Sequence, residues 1–240
     1  MDESDIDGAA TVARATVAGL AAALAVADPG TGILAMAALP VLDVSIEHVR
    51  RWKRAACGYA VTVAAEAAGV APAELVALLT AEPAKIRLLA SALEAASETA
   101  WQAKMRVLGK ALASGALASD DAKVMEEVGW TRITRELEAP HLRILVHLCK
   151  EDPEYPGEGH WIAAHRRELR ALSGFDQLIG PALSMLERDS LIRATDGSDF
   201  DLHFRSRWGI TSGSDRTVYV RGELAEACIE RFKAAGFETN

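Results

Sequence analysis

The chain has 240 residues, 50% of them hydrophobic and 25% charged, which is enough to bury a sizeable core without disulfides or a structural metal. A formal net charge of −8 argues against a broadly basic protein that coats nucleic acid, because non-specific affinity of that kind comes largely from Lys and Arg. Only 5% of the residues are aromatic, so we predict a mostly α protein whose helices pack through small side chains.

The cysteines and the start of the chain indicate a compartment. Cys57, Cys149 and Cys228 are far apart, odd in number and without a CxxC pair, and no secretory signal with a basic start precedes them. We therefore predict a reduced, cytoplasmic protein. Residues 1–8 are acidic at their start, and we predict that they form a disordered tail.

Two apolar runs follow the tail. Ala9–Ala27 and Gly32–Val44 are separated by a turn-forming Asp28-Pro29-Gly30, which predicts two helices joined as a hairpin. Each run is richer in Ala, or shorter, than a comfortable membrane span, so we favour a buried hairpin in a soluble protein. A membrane hairpin is the alternative interpretation.

A basic cluster keeps that alternative open. Four cations surround one tryptophan, the arrangement expected where a hairpin leaves the membrane at an anionic cytoplasmic surface: Arg50, Arg51, Trp52, Lys53 and Arg54. The other interpretation is a solvated helix face with the Trp52 ring against the core.

The next stretch predicts a series of helices. Residues 44–68 continue as helix to Gly69, and Pro72 and Pro83 each start a new one, because proline is tolerated in a first helical turn. Periodic apolar residues predict another helix at about 97–117, which Gly115 would fray at its end. Asp120-Asp121 precedes a further helix and is suited to capping it. Ala139-Pro140 then separates a helical domain, 9–139, from a second domain, 140–240.

The second domain has the element order of a winged helix. Helices are predicted at 142–148, at Trp161–Leu172 and around Leu178–Leu186. Strands are predicted at Leu191–Arg193 and Thr217–Val220, and a last helix at Gly222–Phe232. The long polar connection between the strands would be the wing. We therefore predict an N-terminal helical domain and a C-terminal winged-helix (α+β) domain.

Signatures of catalysis were not found in the sequence. GxSxG, HExxH, GxxxxGK[ST] and GxGxxG after a strand are all missing. His160 and His165 lie near Glu158, but a metal site needs three or four converging ligands. We predict that the chain is not an enzyme and has no catalytic residue, no metal and no cofactor.

The winged-helix interpretation provides candidate DNA contacts. They lie on the helix before the recognition position, on the recognition helix and in the wing: Arg166, Arg167 and Arg170; Gln177, Ser184 and Arg188; His203, Arg205, Arg207 and Arg216. Asp176 and Glu187 oppose DNA binding, because they would face phosphate. Contact with a protein partner is an equally weighted alternative, in which Trp208 could be an anchor.

Part of the chain resembles a loose group of uncharacterised bacterial and phage-borne proteins, some similar to the abortive-infection Abi-alpha group. The resemblance rests on Thr99–Gly115 and on Leu137–Leu145, and covers about residues 70–150. It implies a helical body with a winged-helix-like tail, sometimes after a small apolar segment, in phage–host conflict or regulation. It transfers no active-site residue.

These observations give two hypotheses from different classes. The first is a non-enzymatic regulatory protein that forms a homo-oligomer through its helical domain and binds double-stranded DNA or a protein through its winged helix. The second is a membrane-active defence effector that inserts Ala9–Val44 as a hairpin.

Overall fold

The structure is a computed structural model in which residues 29–150, 162–196 and 217–238 are described. These residues form a mostly helical protein with one small sheet. Contacts divide the chain into two compact units, Met1–Ala55 and Ala56–Asn240, and the division falls within the helix Pro29–Ala68.

Within the described ranges there are nine helices and three strands. The helices are α1 Pro29–Ala68, α2 Pro72–Thr80, α3 Pro83–Ser97, α4 Gln102–Leu117, α5 Asp121–Glu136, α6 Ala139–Leu148, α7 Arg166–Ser173, α8 Ile179–Arg188 and α9 Ala225–Ala234. The strands are β1 Ala164–His165, β2 Ile192–Asp196 and β3 Thr217–Arg221.

Local chemistry sets several of the helix starts. Pro72 and Pro83 lie in the first turns of α2 and α3, as predicted. Asp120 caps α5, as predicted, by accepting a hydrogen bond from the N–H of Ala122 at 2.9 Å through Oδ1. Helix α1 ends at Ala68, directly before the predicted stop at Gly69.

Three predicted boundaries are wrong. The helix expected at 97–117 begins only at Gln102, because α3 continues to Ser97 and the Thr99 hydroxyl accepts from the N–H of Trp101 at 3.1 Å in the link. The helix expected from Trp161 begins at Arg166, because Ala164 and His165 pair with β3 instead. The last helix begins at Ala225 rather than Gly222.

The role predicted for Gly115 is also wrong. We predicted that it frays the end of α4, but it is buried inside the helix. A Cβ atom at this position would overlap the Leu88 side chain of α3. The residue therefore allows α3 and α4 to approach closely.

The sheet is antiparallel with the strand order β1-β3-β2. Strands β2 and β3 pair along their full length, from Ile192 opposite Arg221 to Asp196 opposite Thr217. The short β1 adds Ala164 opposite Tyr219 on the other edge of β3. The two strands predicted around 191–193 and 217–220 are thus confirmed.

The core contains residues from both sides of Pro140. One cluster joins Val107 of α4 and Trp130 of α5 to Leu186 of α8 and Phe232 of α9. A second, Ala-rich and Leu-rich cluster lies among α1 to α5, around Ala64, Leu75, Leu88 and Leu112. The domain boundary at Pro140 stays a prediction, and it lies inside the unit 56–240.

Candidate partner-binding surface

Helices α7 and α8 form the surface on which six of the predicted contact residues fall. The N–H of His165 donates to Glu168 Oε2 at 2.9 Å where α7 begins, and α7 is followed by Gly174, whose φ of +76° is left-handed. In the following turn the N–H of Phe175 donates to the Ser173 hydroxyl at 3.2 Å. These contacts set the direction in which the chain enters α8.

Arg166 and Arg167 are exposed in the first turn of α7. Within the described ranges, neither side chain makes an ion pair. Cations at a helix N-terminus are disfavoured by the helix dipole, so this position does not stabilise α7. The Arg166 guanidinium reaches α8, because a Cβ at Gly180 would lie 2.8 Å from its Nη2. The Arg166 charge therefore lies beside the start of α8, and Arg167 is its neighbour in the first turn of α7.

Arg170 and Arg188 have acidic partners instead. Arg170 forms an ion pair with Asp176, and its Nε donates to Asp176 Oδ1 at 2.8 Å. Arg188 Nη2 lies 2.5 Å from Glu136 Oε2 and 3.1 Å from Oδ2 of the buried Asp189. Hydrogen bonds to Asp189 and Glu136 raise the pKa of Arg188. Both guanidiniums keep free donors, but their carboxylate partners offset the positive charge that each would offer to phosphate.

The two acids expected to face phosphate are also engaged. Asp176 holds Arg170, and Glu187 Oε1 accepts from the N–H of Ala194 at 3.3 Å, which ties α8 to β2. Both carboxylates therefore have partners. Among the described residues, the cations of α7 and α8 that have no ion pair are Arg166 and Arg167.

The neutral candidates Gln177 and Ser184 are exposed, in the turn before α8 and on α8. The same surface also exposes two leucines, which was not predicted from the sequence. Leu178, which we placed within the predicted helix, precedes α8 and is 62% exposed, and Leu172 on α7 is 39% exposed. Two large apolar side chains of this surface are therefore open to solvent. Nothing in the local pattern distinguishes Leu178 from the buried Leu183.

The remaining candidates lie elsewhere. The predicted wing residues His203, Arg205, Arg207 and Arg216, and Trp208, lie outside the described residues. The basic cluster lies on α1, where Arg51, Trp52, Lys53 and Arg54 are exposed and Arg50 is partly exposed.

Histidines and cysteines do not converge in the described part of the chain. No group of three or more His, Cys, Asp or Glu residues that could hold a metal ion is found there, and His160 lies outside it. Burial raises the pKa of Cys149 to about 11 and that of Cys228 to about 12. Both are therefore protonated thiols at neutral pH and poor nucleophiles.

A groove of about 500 Å³ lies between the end of α8, strands β2 and β3, and the start of α9. Its lining is mixed in charge, with Arg193 and Arg221 facing the same space as Glu187, Glu223 and Glu226. Arg221 is paired with Glu226 across it. The groove therefore has no single charge that would select a ligand.

Comparison with known protein families, curated proteins and solved structures found no match to this chain. Among the described residues no single helix is long and apolar enough to cross a membrane. Two helical pieces bent by 92°, Val49–Ala68 and Pro72–Thr80, pass the same test of length and composition when taken together.

Proposed function

We propose that this chain is a non-enzymatic regulatory protein that binds duplex DNA through a winged helix formed by residues 139–238. Support comes from the element order α6-β1-α7-α8-β2-β3 and the strand order β1-β3-β2, both typical of winged helices. In such a module α8 would enter the major groove. The resemblance to phage-borne proteins extends the proposal to regulation in phage–host conflict.

The observation that carries the DNA proposal is the pair Arg166 and Arg167. They are exposed, without an ion pair among the described residues, and Arg166 reaches the start of α8. Arginines on the helix before a recognition helix are placed to contact phosphates on either side of the groove. Gln177 and Ser184 would then be the side chains closest to base edges.

The test is fluorescence anisotropy with a mixed-sequence duplex over a salt series. We expect affinity to fall steeply with salt, and the double variant Arg166→Glu/Arg167→Glu to bind weakly with a salt slope smaller by about 2, one for each lost phosphate contact. Arg87→Glu, which alters an exposed arginine of α3, is the matched control and should bind like the wild type. No binding by the wild-type chain at low salt would remove DNA from the proposal.

A protein partner is the second candidate, and exposed Leu178 favours it. An exposed leucine beside an acidic–basic pair, Arg170 and Asp176, suits contact with another protein better than contact with phosphate. We propose a second copy of this chain as that partner. Light scattering should then show an oligomer that Leu178→Ser reduces to monomers, while Leu117→Ser, at a similarly exposed leucine of α4, leaves it intact.

The membrane-active alternative stays a prediction. Of its hairpin, residues 9–28 lie outside the described residues, while 29–44 belong to the single helix α1. Leakage of dye from vesicles tests it. The full chain should release the dye, and a variant that lacks Ala9–Ala27 should not.

A further inference from the structure

The basic cluster of α1 brings exposed cations without an ion pair close together in the chain. Arg51, Lys53 and Arg54 make no ion pair within the described ranges. Arg135 of α5, in contrast, is held by Glu98 at 2.7 and 2.8 Å and by Glu94 at 3.1 Å. The chain has 34 acidic and 26 basic side chains, so the density of unpaired cations in this short segment contrasts with its overall negative charge.

The local sequence concentrates this charge. Glu47 is the only acid between Val44 and Ala65, whereas four cations occur within the five residues from Arg50 to Arg54. Arg50 and Arg54 are four residues apart and share one side of the helix. The segment is therefore a strongly cationic strip in a protein whose net charge is −8.

Two apolar side chains are exposed in the same two turns of α1 as the cations. Val49 is 49% exposed and Trp52 is 37% exposed, and their spacing of three residues places them on the same side of α1. Tryptophan favours the headgroup level of a bilayer, because its ring is apolar and its N–H is polar. A helix segment with valine and tryptophan on one side and cations around the rest suits a partner with an anionic layer above an apolar one.

We propose that residues 47–54 of α1 form a docking site for a membrane surface rich in anionic phospholipid. The cations contact lipid phosphates and carboxylates, and Trp52 and Val49 enter the boundary between headgroups and acyl chains. The proposal does not depend on the winged helix or on insertion of a hairpin.

The same helix favours lipid over nucleic acid as the occupant. Residues 32–44, which precede the cluster in α1, contain one charged residue, Asp43, among mostly apolar ones. Nucleic acid would engage the cations and could stack on Trp52, but it provides no apolar layer for Val49. An anionic bilayer provides both layers.

The experiment is co-sedimentation of the full chain with vesicles of phosphatidylcholine, alone or mixed with phosphatidylserine. Binding is expected only with phosphatidylserine and should weaken as salt rises. Each cation contributes about a fivefold change in affinity, so Arg51→Gln/Lys53→Gln/Arg54→Gln should lose on the order of a hundredfold. Trp52→Ala should weaken binding also at high salt, and Trp52→Phe should restore part of it.

Two controls make the outcome decisive. Arg166→Glu/Arg167→Glu should bind vesicles like the wild type, which separates this surface from the DNA proposal. Circular dichroism should show the wild-type helix content in every variant compared. Equal binding to both kinds of vesicle, no binding to either, or wild-type binding by the triple variant would overturn the proposal. So would binding of an oligonucleotide, but not of vesicles, that the triple variant loses.

Discussion

At the scale of single residues, Gly222 lies where the end of β3 packs closely against the turn between α8 and β2. Its N–H donates to the carbonyl of Leu191 at 2.9 Å, and the N–H of Leu224 donates to that of Ser190 at 3.2 Å. A Cβ on Gly222 would overlap the Ser190 carbonyl oxygen, which is backbone and has no rotamer with which to move aside. The absence of a side chain therefore lets the end of β3 lie against the turn between α8 and β2.

Replacing this glycine should distort the junction. We expect Gly222→Ala to lower the free energy of unfolding by about 2 to 3 kcal/mol, because the backbone must shift to accept one methyl group. Gly129→Ala in α5 is the matched control, since its Cβ meets nothing within 4 Å, and it should stabilise the protein by roughly 0.5–1 kcal/mol. Urea unfolding of both variants measures this difference. Similar stability changes in the two would show that the close approach is not rigid.

At the scale of a structural element, α6 depends on a histidine in its first turn. The N–H of Glu138 donates to His141 Nδ1 at 2.9 Å, so this nitrogen must be unprotonated. Burial lowers the pKa of His141 from its ordinary value of 6.5. Lys104 acts in the same direction, whereas the carboxylates of Glu138 and Glu136 oppose it. The His141 ring also lies 5.0 Å from that of Phe175, in the turn before α8.

The stability of the protein should therefore fall in mild acid. Below about pH 6.5 the unfolded chain binds a proton at His141 that the folded chain still excludes, so stability decreases as the pH falls from 6.5 towards the lower folded pKa. Burial lowers the pKa of His147 as well, which adds to the effect. His141→Asn keeps a hydrogen-bond acceptor but does not titrate, and should flatten the dependence of the urea midpoint on pH. His147→Gln should flatten it too, and identical curves for wild type and His141→Asn would contradict the role of the cap.

The elements that the sequence predicted correctly are those whose signals are local. Pro72, Pro83 and Asp120 set helix starts within one turn, and the alternation in Thr217–Val220 is sufficient for β3. Strand β1 has no such signal, because its two residues are extended only through pairing with β3, more than fifty residues later. A helical period therefore led to a prediction of helix at Ala164.

Contacts of the candidate surface were harder to predict for the same reason. Exposure of Arg166 and Arg167 follows from the helical pattern, but the pairing of Arg188 with Glu136 joins residues 52 positions apart. Lys104 gives a further case, because a lysine on an amphipathic helix is expected on its solvated side. It is 2% exposed, and its Nζ donates to the Arg135 carbonyl at 2.6 Å and to Glu138 at 2.9 Å. Both acceptors lie beyond any local window.

At the scale of the whole unit from 56 to 240, α9 fastens the C-terminal elements to the helical body. Arg231 forms two hydrogen bonds to the buried carboxylate of Glu127, at 2.8 and 3.1 Å, and lies 4.6 Å from the centre of the Trp130 ring. The Ser114 hydroxyl donates to the same carboxylate at 2.9 Å. Phe232 stacks on Trp101 with ring centres 5.3 Å apart. The ion pair and the aromatic contact therefore both join residues before Pro140 to residues after it.

This arrangement predicts that the body and the C-terminal elements unfold in one step. Arg231→Ala removes two hydrogen bonds from the buried Glu127 carboxylate, which keeps the Ser114 hydroxyl and Lys123 Nζ at 3.7 Å. It should cost about 2–3 kcal/mol, because a buried charge loses its strongest partner. Lys233→Ala, two residues further along α9, removes only the exposed pair with Glu230 and should change stability by less than about 1 kcal/mol. Urea unfolding followed by tryptophan fluorescence and by circular dichroism should give coincident transitions in the wild type. Two separate transitions, with Arg231→Ala affecting only one of them, would show instead that residues 140–240 fold as an independent domain.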